Sequence, residues 1–393
     1  MLPLSPDTQA TALLVGRFGM GEAKPLTRGD YNKVAQTLHA RRLRPSDLFK
    51  DVPEDLPVER SRIVELIGRG TSLALAVERW GQFGVKLVSR ADSDYPARFR
   101  SLLKGGGAPI LFYAGNLGLL DAPTLGVVGS RDATAAGTHF AAQLGKRAAA
   151  ESVVIASGDA RGIDRAAMDA ALDTGGRVIG ILADSLAKSV LSRRYRQAIG
   201  DQRLLLISHV EPEARFSAYQ AMERNRYIYT ASDAVIIADS DVKGGTWSGA
   251  VENQKHGWTP AYARVGEDVR NGNAALVRQG LAPISEDWFE SREALRSLFH
   301  KNASAPEALP LFAEQAKVSA SATGQGGGDE LFQLFLCLLE PALETGQDTD
   351  SITQQFALER DQALVWLNRA MQLGKIEAHS GEIWRRVFPR PAP

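Results

Sequence analysis

From Thr124 onward, short and nearly continuous apolar runs recur: LGVVG (125–129), VVIAS (153–157), RVIGIL (177–182), LLLIS (204–208), AVIIAD (234–239) and PAYAR (260–264). Between them lie stretches with helical spacing, at 135–150, 163–172, 217–231 and 247–256. A strand that is apolar on both sides must be covered on both faces. The alternation therefore demands a parallel sheet between two layers of helix. About six strands in roughly 160 residues make one doubly wound, Rossmann-like α/β domain.

The flanks read differently. Residues 6–83 carry apolar residues at helical spacing with no alternating runs, which predicts a bundle of four or five helices with Thr27 as an N-cap. Gly84 to Val88 reads as a short strand, and Pro109 to Tyr113 is an apolar lead-in to the Gly115-Asn116 turn. Residues 301–328 are rich in Ala, Ser, Gly and Pro, the composition of a flexible linker. Beyond it, helical stretches at 330–343, 351–356 and 359–373 precede a hairpin turning at Ser380-Gly381, the pattern of a winged helix. The expected division is a helical domain over 1–83, a Rossmann-like domain over 84–300, a linker over 301–328 and a winged helix over 329–393.

Composition narrows the function classes. One cysteine, Cys337, among 393 residues excludes a disulfide framework and a multi-cysteine metal site. Six scattered histidines show no metal spacing. The opening MLPLSPDTQA has no basic and apolar leader pattern, and the most apolar run, 331–343, is too short and too polar to span a bilayer. A cytoplasmic protein without membrane, metal or cofactor is expected. The chain balances 46 basic against 46 acidic residues. Residues 1–123 carry 17 Lys and Arg against 13 Asp and Glu, residues 124–284 carry 19 against 17, and residues 329–393 carry six against ten. A polyanion site therefore belongs to the first two segments, and the C-terminal segment is expected to dock protein instead.

Ligands of open α/β sheets bind beyond the carboxyl ends of the strands. There the first strand of the alternation ends in Gly129-Ser130-Arg131, where backbone N–H groups and a guanidinium suit a phosphate; an ordinary tight turn with a solvated Arg fits equally well. The second ends in Ser157-Gly158-Asp159-Ala160-Arg161-Gly162, followed by Asp164, which reads as a helix cap or a partner for Arg161 rather than a catalytic carboxylate. After the fifth, Lys243-Gly244-Gly245-Thr246 forms a nest of donors. Within the helix before it, Glu223 precedes Arg224-Asn225-Arg226, whose two arginines cannot share a helix face. Trp247 fits base stacking or core packing. Neither G-x-G-x-x-G nor a P-loop occurs, so hydride transfer and NTP hydrolysis lose their main support.

Asp94-Tyr95-Pro96, Val127-Val128-Gly129-Ser130-Arg131, Ser157-Gly158-x-Ala160-Arg161-Gly162-Ile163-Asp164, Gly175-Gly176 and Arg224-Asn225-Arg226 together resemble the DNA-processing protein A (DprA, or Smf) family of the SLOG superfamily. The resemblance covers roughly residues 84–284. It implies a non-enzymatic protein that binds single-stranded DNA, loads a RecA-type recombinase during DNA uptake or recombination, and forms a homodimer. Carried over by position, Gly129, Ser130, Arg131, Ser157, Gly158, Arg161, Gly162, Lys243, Gly244 and Gly245 would hold phosphates, with Arg224, Asn225, Arg226 and Thr246 as further candidates. The chain departs from the family at Asp159, at Met222-Glu223 and at Gly244-Gly245-Thr246-Trp247. The last is closer to nucleotide-handling SLOG proteins. The alternative expectation is thus a nucleotide sensor or a nucleoside-monophosphate phosphoribohydrolase, with Glu252 as its carboxylate.

Overall fold

The computed structural model describes residues 4–18, 24–291, 293–299, 339, 343, 347–356, 360–372, 376–379 and 383–386. Two compact units divide the chain, residues 1–309 and 310–393.

The first unit begins with α1 (Pro6–Val15), α2 (Arg28–Ala40), α3 (Arg60–Ile67) and α4 (Gly70–Gln82). Thr27 caps α2 as its sequence suggests, its hydroxyl accepting from the Asp30 N–H at 3.1 Å. Leu14, Tyr31, Val34, Leu38, Ile63 and Leu66 close a small helical core. Ala12 and Leu13 of α1 face the other way, into the core under the main sheet, together with Trp80. That continuity follows from α1 being buried on nearly every side, its Asp7, Thr8 and Thr11 included.

The alternation then unfolds as β1 (Lys86–Ser89), β2 (Ile110–Gly115), β3 (Thr124–Gly129), α5 (Ala135–Ala150), β4 (Val154–Ser157), α6 (Ile163–Asp173) and β5 (Arg177–Leu182). Next come α7 (Leu186–Val190), α8 (Arg193–Gly200), β6 (Leu204–Ser208), α9 (Ala218–Ala231) and β7 (Ala234–Asp239). The last elements of the unit are α10 (Gly245–His256), β8 (Ala261–Arg264), α11 (Asn271–Arg278) and β9 (Ala282–Ile284). The sheet order is β1-β2-β6-β5-β4-β3-β7-β8-β9. All six expected strands lie parallel, β6 through β8. The purely parallel expectation needs one correction: β1 and β2 form an antiparallel pair that extends the sheet antiparallel to β6. β2 precedes the alternating strands in the chain and reaches β6 without a β–helix–β crossover of its own, so the right-handed parallel connection that orients the other strands does not set its direction.

Two apolar cores cover the faces. Phe140, Leu144, Ala167 and Met168 pack beneath one face, and Tyr227, Ile228, Ala250 and Leu276 beneath the other. The order reverses at β3, with β4 on one side and β7 on the other. A crevice beyond the carboxyl ends of β3 and β7 follows from that switch.

In the second unit, β10 (Gln347–Asp348), α12 (Thr349–Phe356), α13 (Arg360–Gln372), β11 (Ile376–His379) and β12 (Ile383–Arg386) are described. The antiparallel order β10-β12-β11 adds a strand to the expected hairpin. Trp384 is buried with Ile352, Leu367 and Ile376, and its indole donates to the Thr349 hydroxyl at 3.0 Å. The linker over 301–328, most of the 330–343 helix, Gly374 and the Ser380-Gly381 turn lie outside the described residues.

Candidate functional site

The β3–β7 switch point opens into a cleft of about 530 Å³ whose lining includes Gly129, Ser130, Arg131, Arg224, Asn225 and the stretch Lys243–Thr246. A second lobe of about 720 Å³ lies beyond the ends of β4 and β5. Arg131, Ala160, Phe216 and Arg224 line both lobes, so they form one groove divided by a ridge.

The ridge rests on glycines. At Gly158 a Cβ would overlap the Arg224 guanidinium, so only glycine lets α9 place that arginine against the end of β4. Gly162 has φ +86°, and a Cβ there would run into the carbonyls of Ser130 and Arg131. This close approach holds the β3 and β4 loops together, helped by the Ile163 N–H donating to the Ser130 carbonyl at 3.3 Å, while the Ser130 N–H donates to the Asp239 carbonyl of β7 at 2.8 Å. Across the cleft, the Asn225 amide donates to the Gly245 carbonyl at 2.9 Å and ties α9 to the third loop.

The arginines divide sharply. Arg224 is 5% exposed, with Nη1 3.4 Å from the Asp164 carboxylate. Asp164 also accepts from the Gly158 N–H at 3.2 Å. Burial raises the Asp164 carboxyl above its ordinary range and lowers Arg224, while each one's charge opposes the shift of the other. Asp164 is thus structural, but its partner is Arg224 and not Arg161, which pairs with Asp132 at the surface. Arg131 is exposed, with its guanidinium 4.7 Å from the centre of the Phe216 ring. Among the described residues neither Arg131 nor Lys243 meets a carboxylate within 4 Å. Arg270, which the sequence did not single out, also lines the cleft, and its Nε lies 3.4 Å from the buried Asp239.

Three expected residues stay out of the groove. Ser157 is fully buried at the end of β4, and its hydroxyl is satisfied there by donating to the Val127 carbonyl at 2.5 Å. Gly162 acts through the loop approach just described. Arg226 turns to Glu252 at 3.1 Å and to Glu223 at 3.9 Å, as expected for the arginine on the other face of α9. Glu252, the carboxylate of the hydrolase alternative, is thereby engaged outside the lining of either lobe. Asp159 is held at φ +53°, accepting from the Tyr195 hydroxyl at 2.5 Å and pairing with Arg165 at 3.3 Å. Its charge is answered locally. Trp247 is half-buried against the sheet core and lines neither lobe of the groove. Phe216, half-exposed on the ridge, offers one instead; it lacked a signal because a lone Phe before a helix reads as core.

On the far side of α9, Glu223 pairs with Arg28 of α2, and His209 lies 3.8 Å away, stacked on Tyr227. Burial lowers His209 to about 4, with Glu223 pulling the other way. The neutral imidazole is the form this seam between α2 and α9 accepts.

Residues 86–295 match the model of the family described as DNA recombination-mediator protein A. Among curated relatives, the DNA processing protein DprA of Streptococcus pneumoniae is 35% identical over 142 residues, covering 35% of this chain and 50% of the relative. That of Bacillus subtilis is 28% identical over 215 residues, covering 53% and 71%. The chain spans about half the length of the first curated relatives it matches. The solved structure of Streptococcus pneumoniae DNA processing protein A superposes with a TM-score of 0.56 at 21% identity, covering 72% of this chain and 95% of the other. The fold is shared. Among the described residues no helix is long and apolar enough to cross a membrane.

Proposed function

The chain belongs to the DNA recombination-mediator protein A family, and from that premise we propose that it is a DNA-processing protein that grips single-stranded DNA by its phosphates in the switch-point cleft. The observation that carries this reading is the convergence of the Gly129-Ser130-Arg131 and Lys243-Gly244-Gly245 loops on one open cleft whose exposed cations have no acidic partner. Backbone donors and free cations suit a phosphate, and an open groove suits a chain more than a small molecule. Phe216 beside Arg131 gives a base a face to stack on.

The strand so held is delivered to a RecA-type recombinase by a dimer of this chain, without covalent chemistry. Support for these finer points is the family resemblance. Engagement of Glu252 by Arg226 favours binding over base release.

The test is binding of fluorescent oligothymidylate against salt. Affinity should be nearly independent of sequence, with a log–log slope of about −2 to −4, at about 0.7 per phosphate neutralised. Salt-insensitive binding, or release of free base from nucleoside monophosphates, would replace this reading with the nucleotide one.

A further inference from the structure

The segment after β5 carries no motif, yet it builds the outer wall of the second lobe. Lys188 of α7 lines that lobe, and Arg193 and Arg196 of α8 line a separate hollow of about 550 Å³ that shares no lining residue with the lobe but whose lining alternates with the lobe's along Leu191, Ser192, Arg193 and Arg194. Arg193 and Arg196 are three apart and share a helix face, opposite the buried Tyr195 and Ala198. All three cations are exposed, and among the described residues none has a carboxylate within 4 Å. Arg196 does donate to the Leu191 carbonyl, which leaves its charge unanswered. Their neighbours behave otherwise: Arg194 pairs with Asp169 and Asp173, and Arg165 with Asp159. Carboxylates are therefore at hand in this region, and this row of cations does not use them.

Size points the same way. Each lobe falls in the range of a small-ligand pocket, about 300–1,000 Å³, and the two together exceed it. Eight Arg and Lys side chains against six Asp line the two lobes, and of the eight Arg131, Lys188 and Lys243 meet no carboxylate within 4 Å among the described residues. A groove that is continuous, cationic and longer than one ligand fits a linear polyanion.

We propose that the bound strand does not end in the switch-point cleft. It crosses the ridge of Arg131 and Phe216 into the second lobe and leaves along Lys188, Arg193 and Arg196, which neutralise its next phosphates. The proposal rests on the single-strand reading and adds a direction and a length to it.

The test compares oligothymidylates of about 4 and about 15 nucleotides on the full chain and on the triple variant Lys188→Ala, Arg193→Ala, Arg196→Ala. These exposed side chains leave the core untouched, so the variant's melting temperature should match that of the parent chain. Affinity for the short strand should stay within about twofold. Affinity for the long strand should fall about tenfold, with its salt slope shallower by about 2, the value for three phosphates. If long and short strands respond alike, weakened equally or unaffected, the extended track is wrong. Calorimetry with a mononucleotide gives a second arm: binding that the triple variant abolishes would make the second lobe a small-molecule pocket and overturn the track. Failure of the parent chain to bind either strand would refute the single-strand reading itself, a different result from loss of length dependence.

Discussion

At the floor of the cleft Arg224 is sealed from solvent against Asp164, while at the rim Arg131 stands in water over the Phe216 ring with no carboxylate near it. Arg131 comes from the loop after β3 and Arg224 from within α9, and both reach the same sheet edge. A buried guanidinium has lost its hydration and depends on its partner, so its energy is committed to the fold. An exposed one keeps its hydration and remains free to exchange water for a phosphate. Location relative to the two helix layers, and not residue type, separates structure from binding here.

The largest test of this contrast is Asp164→Ala. It leaves Arg224 buried without a counter-charge and should cost about 3–5 kcal/mol in urea unfolding. A loss under 1 kcal/mol would mean that water reaches the floor and that the contrast is false.

Acid offers the next largest effect. His209 titrates near 4 when folded against an ordinary 6.5, so between those values the unfolded chain takes up a proton that the folded chain refuses. Stability is fully present above about pH 6.5 and is lost as pH falls toward 4, by about 3 kcal/mol for this group. His209→Phe keeps a ring on Tyr227 and removes the titration. Urea midpoints from pH 7.5 to 4.5 should fall less steeply in that variant, and equal slopes would relieve His209 of the role.

At the rim the effect moves from stability to affinity. Arg131→Ala should weaken oligothymidylate binding by about 1–3 kcal/mol and leave the melting temperature nearly unchanged. A drop in melting temperature with intact affinity would place Arg131 with the floor. Smallest is Arg161→Ala. Its guanidinium is already occupied by Asp132 at the surface, a pair worth about 0–1 kcal/mol, and affinity should change by less than about fivefold. A loss as large as that for Arg131 would show that DNA displaces Asp132 from the pair.

Much of this was written in the chain. Continuous apolar runs such as AVIIAD can be buried only between two layers of helix, which decides the parallel sheet and, with it, the edge where ligands gather. Glycines at 129, 158, 162 and 244 marked the loops at that edge because their backbones must turn or approach closely. The joining of β1 and β2 to β6 is not legible, since Pro109–Tyr113 has no periodicity that distinguishes parallel from antiparallel pairing. Asp164 reads from the sequence as a helix cap or a partner of Arg161, whereas its partner is Arg224, and residues 183–200 carry no motif. Periodicity and turn chemistry are local and survive in the order of residues. An ion pair between positions 60 apart, a serine turned into the sheet at Ser157, or a row of cations left without carboxylates depends on which crossovers the helices take. Only the packed chain, by excluding water from one arginine and leaving it around another, decides which charges hold the fold and which remain to meet a ligand.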